Sequence, residues 1–238
     1  MQYAEHMGRK VGFKVLGDGP TNVLFMPSFV SNLDLIFGTP FVGEFLEGIA
    51  EFSRLIVYDK AGTGVSDPLD QLLTLEDRVD EAATVMAAAD VEHAVIMGLS
   101  EGGPAAILLA ATRPELVDGL VIFGSYAFGA ESFKEHHLAA DHEAMGLSGF
   151  LPSGAQLEIM REFDGHVREH WGDGRALGTL TPSLAATATG REHLALYERS
   201  SASPGMAKAV WKAAMAVNVL DVLPTIDVPT LVVHFTDD

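Results

Sequence analysis

Five short runs of the chain, at 23–26, 55–58, 94–97, 120–123 and 230–235, are apolar on both of their alternating faces, and helical patterns lie between them. A strand that is apolar on both faces has to be covered on both, which is the property of parallel sheets built from strand–helix–strand units. The expected fold class is therefore α/β, a mostly parallel sheet flanked by helices. Ahead of these runs, residues 12–16, the turn Gly17-Asp18-Gly19-Pro20 and the stretch from Val23 suggest entry through an antiparallel strand or hairpin. Val42, Phe45, Leu46, Ile49 and Phe52 recur at helical spacing. Thr74 followed by Asp77 resembles a capping box opening a helix to about residue 89. Both read as crossover helices.

Between 126 and 218 the strand signals stop and amphipathic helices follow one another, broken at Gly146 to Gly149, Pro152, Gly172 to Gly174, Pro182 and Pro204; strand character resumes at Val228. Both ends of this block must return to the same sheet, so it reads as a helical lid. The expected division is a core of residues 1–125 and 219–238 and a lid of 126–218.

The chain carries 33 acidic against 15 basic residues, a net charge of −18, which repels phosphate backbones and anionic bilayers. Nucleic acid and membrane are therefore not expected partners. With no cysteine, disulfides, thiolate metal sites and a cysteine nucleophile are excluded. The charged N-terminus lacks the apolar stretch of a signal peptide, and a cytoplasmic setting is the default expectation.

The sharpest chemical signal is Gly98-Leu99-Ser100-Glu101-Gly102-Gly103, directly after the run 94–97 and opening an apolar helix over 104–111. In a G-x-S-x-G elbow the serine occupies a strained strand-to-helix turn, and the flanking glycines let neighbouring backbone pass without a Cβ clash. The pattern has weight here because a buried strand precedes it and a helix follows.

On these residues the chain resembles the α/β-hydrolase superfamily, and more narrowly bacterial hydrolases found alone or fused to class III adenylate or guanylate cyclases. The segments that carry the likeness are VLFMPSFVSNLD at 23–34, SRLIVYDKAGTGVSD at 53–67, GLSEGGP at 98–104, the stretch 171–186 and DVLPTIDVPTLVVHFTDD at 221–238. The resemblance implies an acyl-enzyme on Ser100, with a histidine as base and backbone N–H groups as oxyanion donors. Glu101, next after the nucleophile, offers one such N–H at the helix start, and the resemblance places the other at Phe29. Relatives carry His-Gly or Pro-Gly where this chain has Pro27-Ser28, so a turn needing positive φ there is strained by Ser28. In the family's D-x-R-G-x-G-x-S turn, here Asp59 to Ser66, Ala61 replaces the arginine, and the role of Asp59 reads as structural.

The resemblance further places the catalytic acid at Asp238, with Asp237 as the adjacent alternative. In this fold the order is serine, acid, histidine. All nine histidines precede Asp238: His6, His93, His136, His137, His142, His166, His170, His193 and His234. His234 reads as a packed strand residue, and His136, His137 and His142 lack metal-ligand spacing. A last helix and strand, on the order of 30 to 50 residues by ordinary element lengths, are thus expected as a missing C-terminal segment. A fragment, a truncated reading frame and a chain completed by another segment or fused domain all remain open. Without that strand, 231–233 forms a sheet edge.

These residues support two readings. One is a serine hydrolase of small-molecule carboxylic esters, needing no cofactor and no metal, impaired unless a histidine is supplied. The other is a catalytically inactive ligand-binding or regulatory module. The serine at the elbow argues against haloalkane dehalogenases and epoxide hydrolases, which place an aspartate there, but leaves esterase, lipase, lactonase, C–C hydrolase and perhydrolase open. Apolar positions such as Leu157, Met160, Leu194 and Trp211 read as helix core or as an acyl-pocket lining. Oligomeric state, a homo-oligomer included, is open.

Overall fold

The computed structural model describes residues 1–129 and 154–234, with side chains from 158 onward in the second stretch. Strands β1 (Gln2–His6) and β2 (Arg9–Leu16) form the entry hairpin. Its two-residue turn, Met7-Gly8, has φ of 50° and 72°, and positive φ at both positions matches the twist of the flanking strands. Strands β3 (Thr21–Met26), β4 (Ser53–Tyr58), β5 (Ala94–Leu99), β6 (Val117–Phe123) and β7 (Thr230–Val233) complete a seven-stranded sheet of order β1-β2-β4-β3-β5-β6-β7. From β4 to β7 every pairing is parallel, and β2 joins β4 antiparallel.

The segment Gly17 to Pro20 is not a hairpin turn, because β2 pairs with β4 and β3 lies beyond β4. It threads closely past the chain between the first helix and β4: a Cβ on Gly19 would sit 2.6 Å from the Ser53 amide nitrogen. Glycine is needed there for close approach of backbone to backbone.

Helices α1 (Val42–Ala50), α2 (Leu75–Ala88) and α3 (Gly102–Thr112) are the crossovers. Thr74 Oγ1 accepts from Asp77 N (3.1 Å) and Asp77 Oδ2 accepts from Thr74 N (2.9 Å), which is the capping box. On α1, Leu46 is the buried anchor, whereas Phe52 lies beyond the helix end and is exposed. The continuous apolar runs are explained by two core layers. Leu24, Met26, Ile56, Tyr58 and Ile96 face α2 and α3, while Val23, Phe25, Leu55, Val57 and Met97 face α1. In β7, read as a buried strand by pattern and as a sheet edge where no strand follows it, Leu231 and Val232 are 58% and 62% exposed. Among the described residues β7 pairs only with β6, and no described helix covers it.

Between β6 and β7 stand α4 (Gly154–Glu169), α5 (Arg175–Leu180), α6 (Pro182–Ala185), α7 (Ala188–Ser201) and α8 (Pro204–Ala216). Proline opens α6 and α8, and Gly174 with φ 88° precedes α5, so the breaks read from the sequence fall at helix starts. The breaks at 146–149 and 152 lie outside the described residues. Phe163, Val167, Ala176, Ala202, Ala207 and Val210 of this block bury against Phe29 and Val30, the loop that follows β3. Among the described residues no helix is long and apolar enough to cross a membrane.

One buried carboxylate organises these helices. Glu198 on α7 accepts backbone N–H bonds from Gly172 (2.7 Å), Gly174 (2.9 Å) and Leu177 (2.9 Å), satisfying amides at the start of α5. Replacing it with alanine leaves three donors without an acceptor. Glu198→Ala is expected to lose about 3 kcal/mol or more of folding stability by chemical denaturation; an unchanged denaturation midpoint would contradict this account.

Candidate active site

Strand β5 ends at Leu99, and α3 starts at Gly102, so Ser100 and Glu101 alone make the turn between them. Ser100 has φ of 50°. An L-residue in this left-handed region costs on the order of 1–2 kcal/mol, and such strain persists only where surrounding contacts impose it. Those contacts are present. Ser100 N donates to Phe123 O (3.1 Å), and Ser100 O accepts from Gly103 N (3.0 Å) and from the Ser125 hydroxyl (2.5 Å). Close approach also requires the elbow glycines. A Cβ on Gly98 would lie 2.7 Å from the Gly103 Cα, and one on Gly102 would press into the Met26 carbonyl and come within 2.6 Å of the Pro27 oxygen. The start of α3 therefore lies directly against the loop after β3.

That loop carries Pro27, Ser28 and Phe29. Ser28 is not among the residues with positive φ, so the strain expected at Pro27-Ser28 is not present. The Phe29 ring is buried and meets Phe163, Trp171 and Trp211 edge-on at centroid distances of 5.6, 5.7 and 5.8 Å. Trp211 thus belongs to this cluster, Leu194 is buried core, and the side chain of Leu157 lies outside the described residues. Among the described residues neither the Phe29 nor the Glu101 backbone N–H has a hydrogen-bond partner.

Two features of this region were not read from the sequence. Ser125, at the end of β6, buttresses the Ser100 carbonyl. Lys60 is 4% exposed, and its ammonium donates to the Phe29 carbonyl (3.4 Å) and to the Glu101 carboxylate. Burial lowers the Lys60 pKa, and the charge of Glu101 opposes that shift. The available signal was position, since Lys60 is a cation at the carboxyl end of a central parallel strand, where α/β folds place their ligand sites.

Asp59 is engaged with the backbone of the neighbouring loops. Its Oδ2 accepts from the backbone N–H groups of Leu33 (2.9 Å) and Val65 (2.9 Å), and its carbonyl accepts from the Ser66 hydroxyl (2.5 Å). Burial raises its pKa. Next to it, Arg78 donates to the Ala61 carbonyl (3.0 Å) and pairs with Glu81 (3.1 Å).

The expected acids Asp237 and Asp238 and the histidines His136, His137 and His142 lie outside the described residues. None of the described histidines hydrogen-bonds to Ser100. His234 bonds the Ser125 carbonyl (3.0 Å), His193 bonds Thr39 (3.0 Å), His166 bonds Thr179 (3.0 Å) and His6 bonds Thr84 (3.2 Å). His170 lies 3.7 Å from Asp173, and His93 lies 2.7 Å from Asp118. Among the described residues no group of side chains is placed to hold a metal ion.

A seven-stranded sheet crossed by helices on both faces, with a serine in a left-handed bend at the end of its central strand, is the α/β-hydrolase fold, and this chain has it. Solved structures agree over nearly its whole length. The esterase RhEst1 from Rhodococcus sp. ECU1013 superposes with a TM-score of 0.71 at 22% identity, covering 100% of this chain and 81% of that one. The enol-lactonase from Burkholderia xenovorans LB400 gives 0.64 at 20% identity, covering 99% and 81%. In sequence, the 2-hydroxymuconate semialdehyde hydrolase of Pseudomonas sp. (strain CF600) is 38% identical over 78 residues, 32% of this chain and 28% of that protein. The aligned part spans less than a third of each curated relative, 28% and 30%. No family model matches the chain.

The bend at Ser100 has a measurable signature. Glycine tolerates positive φ, whereas alanine keeps the strain while removing the same hydroxyl. Ser100→Gly is expected to be about 1 kcal/mol more stable to denaturant than Ser100→Ala, and an alanine variant at least as stable would rule out the left-handed elbow. A second expectation concerns His93, whose hydrogen bond and charge attraction to Asp118 raise its pKa above 6.5. The pair stabilises the fold below the ordinary histidine value, and that contribution is lost as pH rises through the raised one. An NMR titration of His93 should move down in Asp118→Asn.

Proposed function

We propose that this chain is a serine hydrolase of small carboxylic esters or lactones. The observation that carries this reading is Ser100, held at φ 50° between the central strand and α3. In the proposed reaction Ser100 Oγ attacks the ester carbonyl carbon while a base takes its proton. The oxyanion forms between the Phe29 and Glu101 backbone N–H groups. Collapse expels the alcohol, which takes up that proton, and water then attacks the acyl-enzyme to release the acid and free Ser100. Asp238 is proposed to orient a histidine base supplied from outside the described residues, and the activity is proposed to be impaired without it. The helical block, 126–218, is proposed as a lid over a core of 1–125 and 219–238. Its support is the burial of its side chains against Phe29. The structural neighbours, an esterase and an enol-lactonase among them, support an ester or lactone substrate.

A second reading, an inactive ligand-binding or regulatory module, is favoured by the commitment of the described histidines to partners other than Ser100. One pair of assays separates the two. The hydrolase reading expects a fluorophosphonate to add covalently to the wild-type chain, seen as a mass gain, and not to Ser100→Ala. It also expects hydrolysis of a short nitrophenyl ester to fall at least about 10³-fold in that variant. A folded wild-type chain that shows neither reaction supports the binding module.

A further inference from the structure

Three parts of the chain that are distant in sequence meet at one ammonium group. Lys60 follows β4, Phe29 lies in the loop after β3, and Glu101 is the second residue of the elbow after β5. Lys60 Nζ donates to the carbonyl of Phe29 and to the carboxylate of Glu101. Stability alone explains this poorly. A buried cation loses its hydration, and attraction to one carboxylate does little more than offset that loss. Arg78 and Glu81 are paired with each other, so Glu101 is the counter-ion of Lys60.

The geometry instead points to Lys60 as a positioning residue: by binding the Phe29 carbonyl and the Glu101 carboxylate together, it fixes the spacing between the Phe29 and Glu101 backbone N–H groups. This inference rests on the ester-hydrolase reading, in which those two groups receive the oxyanion. The Phe29 ring is already held by Phe163, Trp171 and Trp211. With its carbonyl held as well, the residue keeps little freedom to rotate its N–H. Glu101 is tied at both ends, its backbone at the N-cap of α3 and its side chain at Lys60. Donors fixed in advance of the reaction need no reorganisation when charge develops. A lysine does this with no contact to substrate.

Lys60→Met alone strands a carboxylate in the site, so the informative variant is the neutral pair Lys60→Met with Glu101→Met, which keeps both backbone N–H groups. We expect the double variant to recover the folding stability lost in Lys60→Met. Its fluorophosphonate labelling should nonetheless remain roughly tenfold to a hundredfold slower than wild type. In nitrophenyl-ester turnover the loss should fall on kcat, with KM unchanged. Recovery of rate together with stability would reduce Lys60 to a structural ion pair and overturn the proposal. If the wild-type chain shows no Ser100-dependent labelling, the hydrolase reading fails, and the positioning role is then decided by backbone amide NMR. The Phe29 amide resonance should shift in the double variant by more than those of Thr63 and Gly64. A Phe29 resonance that stays in place would overturn it.

Discussion

The structure depends on the parallel pairing of β3 with β5 at the centre of the sheet. The chain runs from β3 outward to β4 on one side and then returns to β5 on the other, so the connections leaving β3 and β5 diverge. A crevice opens at the carboxyl ends of strands at such a switch point. The register pairs Met26 with Gly98, which brings the loop after one strand beside the turn after the other. α3 must start within contact of the Met26 and Pro27 carbonyls, and that approach is why residue 102 lacks a side chain and why the bend falls on Ser100.

Charge is arranged around the same crevice. In a chain of net charge −18, several of the few cations reach inward, where each donates to a backbone carbonyl of a loop at the strand ends. Lys14 bonds Leu33 O (2.6 Å), Lys60 bonds Phe29 O (3.4 Å) and Arg78 bonds Ala61 O (3.0 Å). Asp59 does the complementary work, accepting from the amides of Leu33 and Val65. The loops are held through their peptide groups, which orients backbone N–H and C=O groups in a way that apolar packing cannot.

The helices between β6 and β7 attach to the sheet chiefly through the loops that follow β3 and β4. Phe29 supplies the centre of their aromatic cluster. Asn32 reaches Ser200 O (2.8 Å), and Gly64 N donates to Ser201 O (2.7 Å). The loop after β3 therefore serves both the helices above and the elbow beside it. Movement of those helices would be felt at Phe29.

The sequence by itself determined the sheet, because strands apolar on both faces admit only a covered, parallel arrangement, and it determined the elbow, because G-x-S-x-G between a buried strand and a helix has a single geometric solution. The capping box at Thr74 and the proline starts at Pro182 and Pro204 were legible for the same reason: they are local, acting within one turn of chain. What local pattern could not carry was decided by tertiary structure. Ser28 escapes strain through the path of its loop. Lys60, Ser125 and Glu198 acquire their roles from partners 41, 25 and 21 to 26 positions away. A charged or hydroxyl side chain has no periodic signature, so its meaning arises only when folding brings distant backbone within hydrogen-bond reach.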